Sequence, residues 1–162
     1  MNIKKLTLAG LLIASAVSLS GFFIPVGAAK CFPVQHMVNV LSGIALGPFY
    51  ALGVAFSTSM IRIFIGTGSM LAFPGSMIGA FLCGVLYHKT GKLSHGFLGE
   101  VIGTGIIGAL VSYPVAVFLM GREVALFAFV VPFGISTITG SVISVSVIKF
   151  LERTHILDVI NQ

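Results

Sequence analysis

The chain has 162 residues, of which 57% are hydrophobic and only 8% charged, whereas a soluble domain carries about 25% charged residues. With a mean hydropathy of +1.12 and so short a length, it could not hide its apolar surface from water; a soluble fold is excluded and lipid is the expected solvent. The net charge of +5 comes from nine Lys and Arg against four Asp and Glu, and these bases stand at segment ends without interleaved aromatics, which excludes a nucleic-acid surface and leaves membrane orientation as their role.

Lys4 and Lys5 precede an apolar run at 6–24. That run exceeds the roughly 7–15 residues of a signal-peptide core and approaches the ~20 that cross a bilayer, so a first span is expected there rather than a cleaved leader. Gly10, Ala14 and Ser18 recur every fourth position and share one face. Such a face lets another helix come close, either from the same chain or from a partner. Two cysteines, Cys31 and Cys83, have no metal spacing. They are expected at opposite depths, beyond the ~7 Å that a disulfide permits.

The stretch 31–68, CFPVQHMVNVLSGIALGPFYALGVAFSTSMIRIFIGTG, organises the chain. At ~1.5 Å per residue its apolar part, 37–65, is too long for one upright span and short for two. Gly47-Pro48 divides it, because proline removes a backbone donor and glycine tolerates turn conformations. Two helices at 33–46 and 49–65 are expected. Charge agrees: six spans put Lys4, Lys5, Lys89, Lys92, Lys149 and Arg153 on the cytoplasmic side and only Lys30 and Arg122 outside. Five spans would move Lys89, Lys92, Lys149 and Arg153 outside.

The Gly/Pro-rich segment 66–76 forms an outer connection to a span at 71–87, which ends in the polar loop 88–95, HKTGKLSH. The next span, 96–120, carries Gly99, Gly103, Gly105 and Gly108 for close packing and Pro114 for a kink. Gly121-Arg122-Glu123 turns into a last span at 124–150, with Pro132-Phe133-Gly134, Ser136, Thr137, Thr139 and Ser141. The tail LERTHILDVINQ reads as a short amphipathic cytoplasmic end. The expected fold is an all-α membrane protein, one integral domain over 1–162 with six transmembrane helices and both termini cytoplasmic.

No nucleotide-cradling loop, H-E-x-x-H pair, carboxylate pair or nucleophile elbow is present. The chain is therefore expected to be no enzyme, with no catalytic residue, metal or cofactor. Arg62 is the one base well inside an expected span; it faces a cavity or partner, or snorkels to the outer surface. Gln35, His36 and Asn39 stand at the entry to the second span, with His36 and Asn39 on one face, where they hydrogen-bond a heterocycle or cap the helix. Phe73, Tyr113 and Phe133 are expected at similar outer depth. With Thr137 nearby they suit a small, weakly polar ring, although interfacial aromatics are also ordinary. Glu100, one turn into its span, is expected to pair with Lys92 or the N-terminal helix end.

Six short spans, a small-residue face on the first and no ATPase motif resemble the substrate-binding S components of energy-coupling factor vitamin transporters. Within these, the run at 25–81, PVGAAKCFPVQHMVNVLSGIALGPFYALGVAFSTSMIRIFIGTGSMLAFPGSMIGAF, is similar to the ThiW family, and the resemblance extends over 6–150. It implies uptake of the thiamin precursor hydroxyethylthiazole across a prokaryotic cell membrane. It also implies an outer pocket formed by the loop after span one and by spans four to six. Span one would dock through small residues on a transmembrane T component driven by two cytoplasmic ATPases. The family's Ala-x-x-x-Ala has Gly10-x-x-x-Ala14 as its nearest counterpart here. An uncharged thiazole needs no carboxylate, and no acid is expected where the cationic ring of thiamin would require one. The competing readings are an S component for thiamin or another vitamin, a stand-alone small-solute facilitator, and a structural subunit without a ligand.

Overall fold

A computed structural model describes residues 3–26 and 29–153. Six helices follow one another: α1 (Ile3–Ser18), α2 (Pro33–Leu46), α3 (Pro48–Phe64), α4 (Ala72–Thr90), α5 (Leu93–Leu119) and α6 (Val130–Arg153). Between α1 and α2 lie two short antiparallel strands, β1 (Ile24–Val26) and β2 (Ala29–Cys31), with Ile24 opposite Cys31 and Pro25 opposite Lys30. The amphipathic tail expected beyond 153 falls outside the described residues.

The break at Gly47-Pro48 is present. Gly47 adopts a φ of 94°, a left-handed conformation that side chains disfavour, and Pro48 opens α3 at a position where its missing N–H is not needed. At the other tight turn, Gly91 closes α4 with a φ of 68° and its N–H bonds Tyr87 O at 2.7 Å. The connection to α5 is thereby shorter than the polar loop suggested. Two further boundaries differ from expectation. α1 stops at Ser18, six residues before the apolar run ends, and the remainder enters the hairpin. The last helix starts at Val130, because 124–129 is turn and irregular chain.

Helix contacts are close where glycine allows it. A Cβ on Gly103 would stand 2.7 Å from Gly79 Cα, and one on Gly108 only 2.5 Å from Gly75 Cα, so α5 lies backbone to backbone on α4. α5 widens to π-helical geometry over Gly103–Gly108 and again over Val115–Leu119, directly after Pro114. Proline has no N–H for the regular ladder; at the end of the second widened stretch Met120 N donates to Val115 O at 3.2 Å.

Polarity is inverted relative to a protein folded in water. Phe49, Phe64 and Phe118 are each about four-fifths exposed, while Asn39, Arg62, Glu100 and Thr104 are almost wholly buried. Two helical segments, Leu93–Leu119 and Val130–Phe150, are long and apolar enough to cross a membrane. The apolar interior lies towards the end where α2 stops: Val40, Ile44, Cys83 and Ile148 form one cluster there. On α1, Ala9 and Ala16 face inwards against Val38, Leu46 and Val54.

Candidate ligand-binding site

At the opposite end, where α2, α4 and α6 begin, a cavity of about 680 Å³ opens, within the size range of small-molecule sites. Its wall is built from the first turns of these helices, from the connection after α3, and from the chains that precede α2 and α6. Gln35 and His36 project from α2, Gly75 and Ser76 from α4, Thr104 from the widened turn of α5, and Phe133 and Ser136 from α6. Phe32, Phe129 and Phe133 supply ring faces, and Lys30, Arg62 and Arg122 supply positive charge.

Arg62, 2% exposed, is held from several directions. Its Nη1 donates to Gln35 Oε1, its Nη2 donates to Thr67 O at 3.1 Å, and the guanidinium lies 4.1 Å from the Phe32 ring centroid. The connection after α3 folds back to meet it, since Thr67 N and Gly68 N both donate to Arg62 O at 2.9 Å. From Gln35 the hydrogen bonds continue inwards: Nε2 donates to Ser59 Oγ at 3.1 Å, and Ser59 and Ser76 hydroxyls lie 3.1 Å apart.

Beneath this layer lies Glu100, fully buried. Its Oε1 gathers three donors: His36 Nδ1 at 2.8 Å, Asn39 Nδ2 at 3.0 Å and Thr104 Oγ1 at 3.0 Å. Gly79 makes room for this acid, because a Cβ there would come 2.6 Å from Glu100 Oε2. The expectation that Glu100 pairs with Lys92 or the N-terminal helix end is corrected: its side chain turns inwards, and Oε1 lies 2.8 Å from His36 Nδ1. The reason is energetic, since an acid inside an apolar helix is tolerated only where donors converge on it. With Nδ1 committed to the carboxylate, Nε2 is the His36 ring nitrogen left for a ligand.

Of the residues singled out in the sequence, Gln35, His36, Arg62 and Phe133 thus share one cavity wall. Asn39 stands behind it, on Glu100 and Ser76 O. Phe73 packs on Phe56 at 5.6 Å between ring centroids, and Tyr113 is half-buried; neither lines the cavity. Thr137 is buried behind Ser136, with its hydroxyl on Gly134 O at 3.2 Å. Gly10, Ala14 and Ser18 are exposed on the outward side of α1. Phe32, Ser76, Thr104 and Glu100 were not anticipated at the site. The signal that could have found Glu100 is its place as a lone acid in GFLGEVIGTG.

Neither a curated protein nor a solved structure matches the chain. The family model described as thiamine-precursor transporter protein, ThiW, matches residues 6–154. An inward polar site in an apolar helical bundle suits transport, and the chain belongs to the ThiW family of thiamine-precursor transporters.

Proposed function

We propose that the protein is the substrate-binding S component of an energy-coupling factor importer and that its ligand is a thiazole precursor of thiamin, hydroxyethylthiazole in its simplest form. In this reading it crosses a prokaryotic cell membrane six times, with both termini cytoplasmic and the cavity open to the outside. The observation that carries the reading is a cavity lined by ring faces and hydrogen-bonding groups, with the buried Glu100 network beneath it and an apolar cluster beyond. Phe32, Phe129 and Phe133 give a thiazole surfaces to stack on. His36 Nε2, the ring nitrogen that Glu100 does not engage, is left for the ligand hydroxyl, and Gln35 and Ser76 lie close by.

The apolar cluster beyond the Glu100 network supports this reading over a facilitator. Solute leaving the cavity towards the other end would meet Val40, Ile44, Cys83 and Ile148. Such a chain binds, and it needs partners to release. A transmembrane T component and two ATPases would supply that motion, with the exposed Gly10, Ala14 and Ser18 of α1 as the docking face. Intact thiamin is disfavoured, since its fixed positive ring would meet Lys30, Arg62 and Arg122.

The test is reconstitution. Protein in lipid vesicles should bind radiolabelled hydroxyethylthiazole saturably yet give no accumulation or equilibration of it alone. It should do so once a T component and ATPases are co-reconstituted with ATP. Rapid equilibration by the protein alone would contradict the proposal and establish a facilitator.

A further inference from the structure

The charge of the cavity is unbalanced. Lys30, Arg62 and Arg122 line it, and among the described residues no Asp or Glu does. Arg62 is 98% buried, no carboxylate pairs with it among the described residues, and its Nε–H is buried without a partner. A buried cation of this kind is costly unless something answers its charge. Glu100 does not fill that place. It lies deeper, with its Oε1 occupied by His36, Asn39 and Thr104, and its Oε2, buried without a hydrogen bond, makes no ion pair with Arg62.

Helix geometry adds to the same sign. α2, α4 and α6, of 14, 19 and 24 residues, all begin at the cavity, and α2 and α4 have no side-chain cap. Each N-terminus carries partial positive charge. The Nη1 and Nη2 of Arg62 are taken by Gln35 and Thr67 O, while its Nε–H is buried without a partner, a donor that a charge-assisted hydrogen bond to an anion would satisfy.

We infer that the ligand of this cavity carries an acidic group, a phosphomonoester or a carboxylate, seated on Arg62 with Lys30 and Arg122 at the rim. This rests on the thiazole reading for the ring but not for the charge. The ring lies towards His36 and Phe133, and the acid lies towards Arg62. Lys30 Nζ stands 4.4 Å from the Phe23 ring centroid, an exposed position from which its flexible stem can swing to an incoming anion.

Titration calorimetry on the purified, detergent-solubilised full chain tests this with four probes: hydroxyethylthiazole, its phosphate monoester, the carboxylic acid from oxidation of its alcohol, and inorganic phosphate. One of the two thiazole anions should bind about tenfold to hundredfold more tightly than the alcohol, the range of a hydrogen bond to a charged group. That advantage should vanish in Arg62→Gln and shrink in Arg122→Gln, a rim variant that stays folded should the buried replacement not. Whichever anion binds better identifies the acid. Equal or tighter binding of the alcohol by the wild-type protein would overturn the inference and leave the thiazole reading standing. Binding of inorganic phosphate with no thiazole bound would keep the acid and sink the thiazole. Binding of none of the four would overturn both.

Discussion

Glu100→Ala removes the one oxygen on which His36, Asn39 and Thr104 converge. The three donors do not lose equally. The single proton of Thr104 Oγ1 can turn wholly to Gly75 O at 2.9 Å, and Asn39 Nδ2 keeps Ser76 O at 3.3 Å. His36 Nδ1 has only Glu100, so its stranded N–H costs about 1–3 kcal/mol. Weakened bonds at Asn39 and Thr104 and the space left by the side chain add about 1–2 kcal/mol. Relief from burying a carboxylate offsets part of this. A net loss of about 3 kcal/mol is expected, read from equilibrium unfolding by sodium dodecyl sulfate in mixed micelles. Glu100→Gln keeps an acceptor oxygen in place and should lose only about 1 kcal/mol. It also frees the His36 tautomer, so thiazole affinity should fall about tenfold even where the fold holds. If alanine and glutamine behave alike, or alanine matches the wild type, the reasoning from shared acceptance fails.

Gly108→Ala should destabilise by about 1–3 kcal/mol in the same unfolding assay, since its methyl would press on Gly75 backbone at 2.5 Å rather than on a side chain. Gly10→Ala, with nothing within 4 Å of the new methyl, should leave stability unchanged within about 0.5 kcal/mol. Ala14→Leu should likewise leave folding intact but, on the proposed S-component reading, reduce recovery of a T component in co-purification; undiminished recovery would remove α1 from the proposed docking face. Cys31, 1% exposed in β2, has its thiol pushed above the ordinary range by burial. The neutral thiol therefore favours the fold below the ordinary thiol pKa, and this contribution is lost as pH rises through the raised value. Maleimide labelling of Cys31 should be slow at neutral pH and accelerate only in the alkaline range, and fast labelling at neutral pH would contradict its burial.

The helical plan was legible because its signals are local. Gly47-Pro48 breaks a run too long for one helix, and Gly91 ends another. Gln35, His36 and Arg62 stood out as polar groups in apolar surroundings, and the fold brings them to one wall. What the sequence withheld concerns direction. α4 and α5 are apolar on nearly every side, so periodicity does not tell which face turns inwards. Phe73 and Phe133 looked alike, yet only the second reaches the cavity. Glu100 was read against its sequence neighbour Lys92, whereas its partners His36 and Asn39 stand on a helix more than sixty residues earlier. Lys30 and Arg122 served as orientation charges, and only the meeting of the hairpin with the connection before α6 places both at one opening. The short hairpin strands escaped notice because three residues give no alternation to read.

The most direct test of the account is competition between thiazole and thiamin for the wild-type cavity, measured by displacement of a radiolabelled thiazole ligand from purified protein. A cavity lined by Lys30, Arg62 and Arg122 predicts saturable thiazole binding that thiamin displaces at least tenfold less well than the unlabelled thiazole does, in line with an unfavourable contact between like charges. Displacement by thiamin at equal or lower concentration would contradict it.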